Sequence, residues 1–247
     1  MLLLRLSFFV FFVTFVIFVF LFGTCRPASV RYINRMAKII DLTLPIPPHQ
    51  RGEDTLRTEL WRIKPAGRAE YDARVHYFRH DSMAGTYLDF PSHVQQTDDG
   101  SDAASFPADK LFRLDATVIH LSRGDGSGAI PAAELQAACP PPPLGQALIL
   151  NALGKLQFDQ IAERSVYLAA EAVQWIIDRG FRLLVADVFE SNQQPQGVFE
   201  TLFAAGVLTV CQPIRLDELT SPHVKLTVLP LRVAGATQIP CRLIAEI

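Results

Sequence analysis

Between Leu168 and Cys211 the chain alternates twice between a helical and a strand-like apolar pattern, and this limits the available folds more than any other feature. In "LAAEAVQWIIDRG", Ala169, Ala172, Val173, Ile176 and Ile177 fall at i, i+3, i+4, i+7 and i+8, one apolar stripe on a helix, and Gly180 supplies the stop. "FRLLVADV" then reads as a buried strand. "GVFETLFAAGV" places Phe199, Leu202, Phe203 and Gly206 on one helical face and leads into the strand "VLTVC", which ends at Cys211. Helix and strand in turn imply an α/β arrangement.

The flanking sequence supplies further strands. "KIIDLTLPI" is apolar and β-branched until Pro45, Pro47 and Pro48 stop it, and "DATVIHL", "QALILNA", "HVKLTVLPLRV" and "PCRLIAEI" have strand character. "LRTELWRI" and "RVHYFRHDS" alternate apolar and polar residues, which predicts two half-buried strands of a sheet. His76 and His80 share one side of the second and read as strand residues rather than metal ligands. "IPAAELQAA" is a short helix ended by "CPPPP". A chain of 247 residues with 49% hydrophobic and 19% charged side chains has the composition of one main globular domain. Its 23 basic and 25 acidic residues form no long run of either sign, so nucleic-acid partners are excluded from the expectation. Cys25, Cys139, Cys211 and Cys241 form no Cys-x-x-Cys pair and fit a reducing compartment.

The first 35 residues depart from that average. "LSFFVFFVTFVIFVFLF", Leu6–Phe22, is uncharged and close to the roughly 20 apolar residues that span a bilayer. It is either a retained anchor or sequence outside the natural protein; a cleaved signal ranks below both, because Phe22 occupies a position where cleavage wants a small residue. Arg26, Arg31, Arg35 and Lys38 follow the segment and only Arg5 precedes it, so an anchor would leave the following domain in the cytoplasm. "AKIIDLTLPI" directly after Met36 reads as the start of a domain covering residues 36–247, with translation from Met36 as the competing start.

The chemistry concentrates in "MAGTYLDFPSH", Met83–His93. A structural reading gives Gly85 a tight turn, Thr86 a main-chain bond and Asp89 the amides of the loop. A catalytic reading has Asp89 orient His93 or act as a base, His93 move a proton near neutral pH, and Tyr87 donate a hydrogen bond to a developing oxyanion. Asp187, Glu190 and Ser191 follow a strand, where α/β proteins place binding clefts, so Glu190 is a candidate for substrate binding. Trp61 and Tyr71 are aromatic candidates for a substrate pocket, a core or a subunit interface.

Taken in order, "IIDLTLPI", "GTYLDFPSH", "EAVQWIIDRGFRLLVADV" and "VKLTVLPLRVAGATQIPCRLIAEI" resemble the cyclase family that includes kynurenine formamidase and isatin hydrolase. The resemblance spans roughly Lys38 to Glu246. It implies a single compact α/β domain of the swivelling β/β/α type, mixed sheets with flanking helices, a homodimer or homotetramer, and a divalent metal, zinc or manganese, that activates water to open an amide or lactam. The family motif is His-x-Gly-Thr-His-x-Asp-x-Pro-x-His. Here Met83 and Tyr87 occupy two of its metal-binding histidine positions, while the metal-binding Asp89 and the proton-shuttling His93 are kept. By the same resemblance a ligand histidine falls at Phe199, read here as core packing, and a ligand glutamate at Cys211. Asp89, with His93 and a Cys211 thiolate, is the largest metal set available. The resemblance thus implies hydrolysis or cyclisation of a small amide, formamide or lactam with a depleted or absent metal site. A non-catalytic member that binds a small molecule or supports an oligomer is the alternative.

Overall fold

Strands buried on both faces need a cover on each side, and the apolar runs of this chain obtain one from a closed barrel within and from helices without. The computed structural model describes residues 37–50, 52–124, 126–162, 164–193 and 197–247. The apolar segment Leu6–Phe22, its expected role as an anchor and the start at Met36 lie outside the described residues. Among the described residues no helix is long and apolar enough to cross a membrane.

In chain order the strands are β1 (Ile39–Asp41), β2 (His49–Gln50), β3 (Glu53–Asp54), β4 (Leu56–Ile63), β5 (Tyr71–Phe78), β6 (Tyr87–Asp89), β7 (Leu114–His120), β8 (Gly128–Ile130), β9 (Ala147–Asn151), β10 (Val166–Leu168), β11 (Leu183–Ala186), β12 (Leu208–Cys211), β13 (His223–Pro230) and β14 (Gln238–Glu246). The helices are α1 (Ala132–Ala138), α2 (Ala170–Asp178) and α3 (Val198–Ala204). The main sheet runs β1-β14-β13-β7-β9-β11-β12-β6, and β6 pairs back onto β14, which closes seven of these strands into a ring. Strands β7, β9, β11 and β12 are parallel neighbours, and the remaining pairs of this sheet are antiparallel. The α/β class expected from the alternation, with mixed sheets and flanking helices, is the one observed.

Period-two alternation explains the two cores. Val118, Ile149, Val185 and Val210 point into the barrel with Leu88, Leu226 and Leu243. Their neighbours Ile119, Leu148, Leu150 and Leu184 point outward and pack with Leu135 of α1, Val173 and Ile176 of α2, and Leu202 of α3. Every residue of β9 and β11 is therefore buried. Gly180 (φ 79°) and Gly206 (φ 70°) end α2 and α3 in the left-handed region, the role the sequence gives them.

Strands β4 and β5 differ from expectation. They form a ribbon paired only with each other, and most of its residues are exposed on both faces rather than half-buried. Alternation alone does not tell a strand lying on a core from one projecting into water. Strand β6 is too short for a periodic signal, and its place in the sheet comes from its two neighbours.

Gly85 leads into β6 with φ 67°, and a Cβ there would lie 2.5 Å from the Leu44 carbonyl oxygen. Thr86 follows, accepting a hydrogen bond from the Leu44 amide (2.7 Å) and donating one to the Gln212 carbonyl (2.7 Å). The turn and the hydroxyl fasten the β1–β2 segment to β6 and to the end of β12. Gly85→Ala combines left-handed strain with a backbone clash, so we expect it to lower unfolding free energy by about 2 kcal/mol or more. Urea denaturation of residues 37–247, which form one compact unit, checks this; an unchanged midpoint would show that the turn is not under strain.

Candidate active site

The motif strand β6 lies between β12 and β14, and their registers decide which side chains meet. Leu88 sits opposite Val210 and Ile239, and this row faces the barrel core. The alternate positions face the other way. Asp89 lies between Thr209 and Gln238, and Tyr87 between Cys211 and Pro240. Asp89 is 2% exposed. Its Oδ2 accepts hydrogen bonds from Thr209 Oγ1 (3.3 Å) and from Cys211 Sγ (3.7 Å), while Oδ1 has no hydrogen-bond partner among the described residues. Burial pushes the Asp89 carboxyl up to about 6, against the opposing pull of Gln238, His93, Thr209 and Cys211.

His93 closes a 3₁₀ turn that begins at Pro91, and its ring is exposed. Ser82 Oγ donates to Gln238 Oε1 (2.5 Å), which turns the Gln238 amino group toward His93 Nε2 at 3.3 Å. His93 thus contacts Gln238, the cross-strand neighbour of Asp89, and makes no hydrogen bond with Asp89 itself among the described residues.

Tyr87 and Cys211 open on the other side into a cavity of about 380 Å³ at the carboxyl ends of β11 and β12. This is where open α/β sheets place ligands. Its apolar wall includes Phe158, Phe189 and Phe199, with Phe189 and Phe199 stacked at 5.1 Å between ring centroids. Its polar groups are Tyr87, Arg164, Asp187, Glu190 and Gln212, with Asp159 at the edge. Asp187 accepts the Ala152 amide on Oδ1 (2.9 Å) and the Leu153 amide on Oδ2 (3.0 Å), yet burial still pushes its carboxyl up to about 6. Glu190 Oε1 accepts the Gly197 amide (2.8 Å) and the Val198 amide (3.4 Å), so it caps α3 while lining the cavity.

The fold thus brings Tyr87, Cys211 and Asp89 together and lines one cavity with Tyr87, Cys211 and Glu190. Asp89 and His93 are not part of the cavity wall. Trp61 stands on the exposed β4–β5 ribbon, where its Nε1 donates to Glu59 (3.1 Å), and it does not line the cavity. Tyr71 is on the same ribbon. His76 bonds Thr58 there (3.0 Å), and His80 Nδ1 approaches the Asp81 carbonyl (2.9 Å). Phe199 is a correction: it is half-buried and forms cavity wall, because α3 turns Leu202 and Phe203 to the core and leaves Phe199 facing Phe189. Arg164, Phe158 and Gln212 are cavity residues that the sequence does not single out; they come from irregular segments with no periodic signal.

The donor set does not fit a zinc or manganese ion, which needs about three ligands of suitable charge and softness. Burial, followed by the nearby Asp89 charge, raises the Cys211 thiol well above its usual range. Burial, the Cys211 thiol and Asp89 raise the Tyr87 phenol in the same way. Both groups are held in their protonated forms. Met83 contributes an exposed thioether and Phe199 a carbon ring. Among the described residues no three His, Cys, Asp or Glu side chains are grouped so as to hold a metal ion.

A family model described as "Putative cyclase" matches residues 40–193. No curated protein matches the chain. Isatin hydrolase A from Labrenzia aggregata, solved with benzyl benzoate bound, superposes with a TM-score of 0.64 at 19% identity, over 85% of this chain and 94% of that one. A predicted metal-dependent hydrolase from Bacillus stearothermophilus gives 0.61 at 19% identity, over 85% of this chain and 98% of that one. Isatin hydrolase A from Ralstonia solanacearum gives 0.60 at 16% identity, with 85% and 92% covered. At these identities the likeness is one of fold.

A raised carboxyl has a definite consequence for stability. The folded state keeps the Asp89 proton up to about pH 6 while the unfolded chain releases it near pH 3.8. The contribution of that proton is therefore fully present below pH 3.8 and is lost as pH rises through about 6. Relative to Asp89→Asn, which lacks the titration and keeps Asp187, the natural protein should lose on the order of 2–3 kcal/mol between pH 4 and pH 7. Urea unfolding of both proteins across this range is the measurement. Parallel pH curves would place Asp89 in an ordinary carboxylate environment.

Proposed function

The chain belongs to the cyclase family, and from that premise we propose that it is a hydrolase-like or cyclase-like enzyme acting on a small amide, formamide or lactam. The reacting carbonyl binds in the cavity beside Tyr87, and the chemistry does not depend on a resident metal. One observation carries the reading. A pocket with aromatic walls gathers a phenol donor and three carboxylates, the usual make-up of a site that orients a small polar group among apolar contacts.

In this reading Tyr87, held as a neutral phenol, donates to the carbonyl oxygen as negative charge develops on it. Asp187, with its carboxyl near 6, is largely ionised at neutral pH; it takes a proton from the attacking water as the C–O bond forms and returns it to the departing nitrogen as the C–N bond breaks. Glu190 fixes the substrate's N–H, using the carboxylate capacity left after it caps α3. Asp89 lies behind Tyr87 and Cys211 and sets their protonation by its own charge; His93, through Gln238, tunes Asp89. The last two act by position and do not touch substrate. A non-catalytic small-molecule binder is the second reading, favoured by the separation of Asp89 and His93 from the cavity wall.

Purified protein is screened against aryl formamides and lactams, with added zinc or manganese and with chelator. We expect turnover that is indifferent to both and that rises as pH passes about 6, following the Asp187 proton. Tyr87→Phe should lower kcat by about 10²-fold, the range for losing one oxyanion donor, and Asp187→Asn should abolish the rise with pH. Metal-dependent turnover would refute the mechanism. Saturable ligand binding without turnover across the panel would instead select the second reading.

A further inference from the structure

The cavity carries more negative charge than the chemistry above requires. Its wall holds three carboxylates, Asp159, Asp187 and Glu190, against one guanidinium, Arg164. Among the described residues none of the three carboxylates enters an ion pair. Asp187 is held by the amides of Ala152 and Leu153, and Glu190 by those of Gly197 and Val198; such bonds orient a carboxylate without cancelling its charge. Asp159 is exposed at the edge and has no role in the proposed reaction. Arg164 does not restore the balance. Its Nη1 donates to Asn192 Oδ1 (2.8 Å), and Asn192 lines a neighbouring polar groove with Ser165 and Tyr167, outside the cavity wall.

The rings are placed beside these charges. Phe158 and Asp159 are consecutive in one 3₁₀ turn, Phe158–Gln160, and Phe189 and Glu190 are consecutive after β11. Twice, therefore, a phenyl ring and a carboxylate enter the wall from adjacent positions. The face of a phenyl ring is the negative pole of its quadrupole and attracts an ammonium group. An inorganic cation needs a shell of oxygen ligands and gains nothing from a phenyl wall. An anion would meet three like charges, and a neutral ring would cover the carboxylates without compensating them. An organic ammonium satisfies both halves of the wall, burying its CH groups against the rings and its charge against the acids. A volume of about 380 Å³ falls within the range of small-molecule sites.

We infer that the cavity selects organic cations, so that the small amide or lactam it takes carries an ammonium group, seated against the phenyl wall with Asp159 and Glu190 supplying the opposing charge. The inference rests on this cavity being the substrate site, with the reacting carbonyl at Tyr87. Asp159 is then a specificity residue of the cavity mouth.

Three ligands that share a benzyl or phenyl group and differ in charge test it: benzyltrimethylammonium, benzyl alcohol and benzoate, titrated calorimetrically into the purified full-length chain. The ammonium should bind about tenfold or more tightly than the alcohol, and benzoate more weakly than either. Raising salt to about 0.5 M should narrow the ratio of ammonium to alcohol, since a charge at the cavity mouth is open to screening. Asp159→Asn should reduce that ratio by about two- to fivefold, the range for a solvent-exposed ion pair, and Asp159→Glu should restore it. Equal affinities, tighter binding of benzoate, a ratio untouched by Asp159→Asn, or no binding of the ammonium at millimolar concentration would each overturn the inference. Calorimetry reads binding alone, so the two readings fail separately. A preference for the ammonium without turnover of any formamide or lactam refutes the enzymatic reading and sustains the charge selection; turnover of neutral formamides without that preference does the reverse.

Discussion

Everything at the candidate site depends on the three-residue strand β6 being held between β12 and β14. That pairing closes the barrel, and its register divides two consecutive kinds of surface. Leu88, Val210 and Ile239 form one apolar row inside the barrel. A slip of β6 by one residue would turn Leu88 out of this row and bring Tyr87 and Asp89 to the inner face, placing a carboxylate in the core. The hydrophobic penalty for that exchange fixes the register, and the register fixes where Tyr87 and Asp89 point.

The same constraint explains the unusual electrostatics. A short strand paired on both edges is buried, so among the described residues Asp89 keeps one oxygen without a hydrogen-bond partner and burial raises its carboxyl. Burial, and after it the nearby Asp89 charge, keeps the Cys211 thiol and the Tyr87 phenol protonated. At the family motif's ligand positions 87 and 211 this site thus presents neutral hydrogen-bonding groups. A phenol can donate a hydrogen bond without deprotonating, and here it faces the cavity at the carboxyl ends of β11 and β12.

Gly85 and Thr86 show how a motif can persist for structural reasons. Their roles, a left-handed turn against Leu44 and a hydroxyl joining Leu44 to Gln212, are needed to seat β6 whatever the residue at 87 does. The aromatic cavity wall has a similar logic. Phe199 occupies a position turned toward the site by α3, and in the absence of a ligand role it stacks on Phe189 and shapes the pocket. Glu190 joins the two functions, since the carboxylate that faces the cavity also holds the first amides of α3.

The sequence by itself determined the elements long enough to show a period. The stripe of Ala172, Val173 and Ile176 requires a helix against a sheet, and the runs Ala147–Asn151 and Leu183–Ala186 are too apolar to lie anywhere but between two layers. It also determined the chemistry available at 83, 87, 89 and 93, because side-chain identity needs no fold to be read. Only the tertiary structure decided which of those groups meet. Tyr87 joins Cys211, 124 positions away, through strand register, while His93 meets Gln238, the cross-strand neighbour of Asp89. Likewise β4 and β5 have the alternation of half-buried strands but project from the core. Periodicity reports that two faces differ, and only the packing of distant segments determines what each face meets.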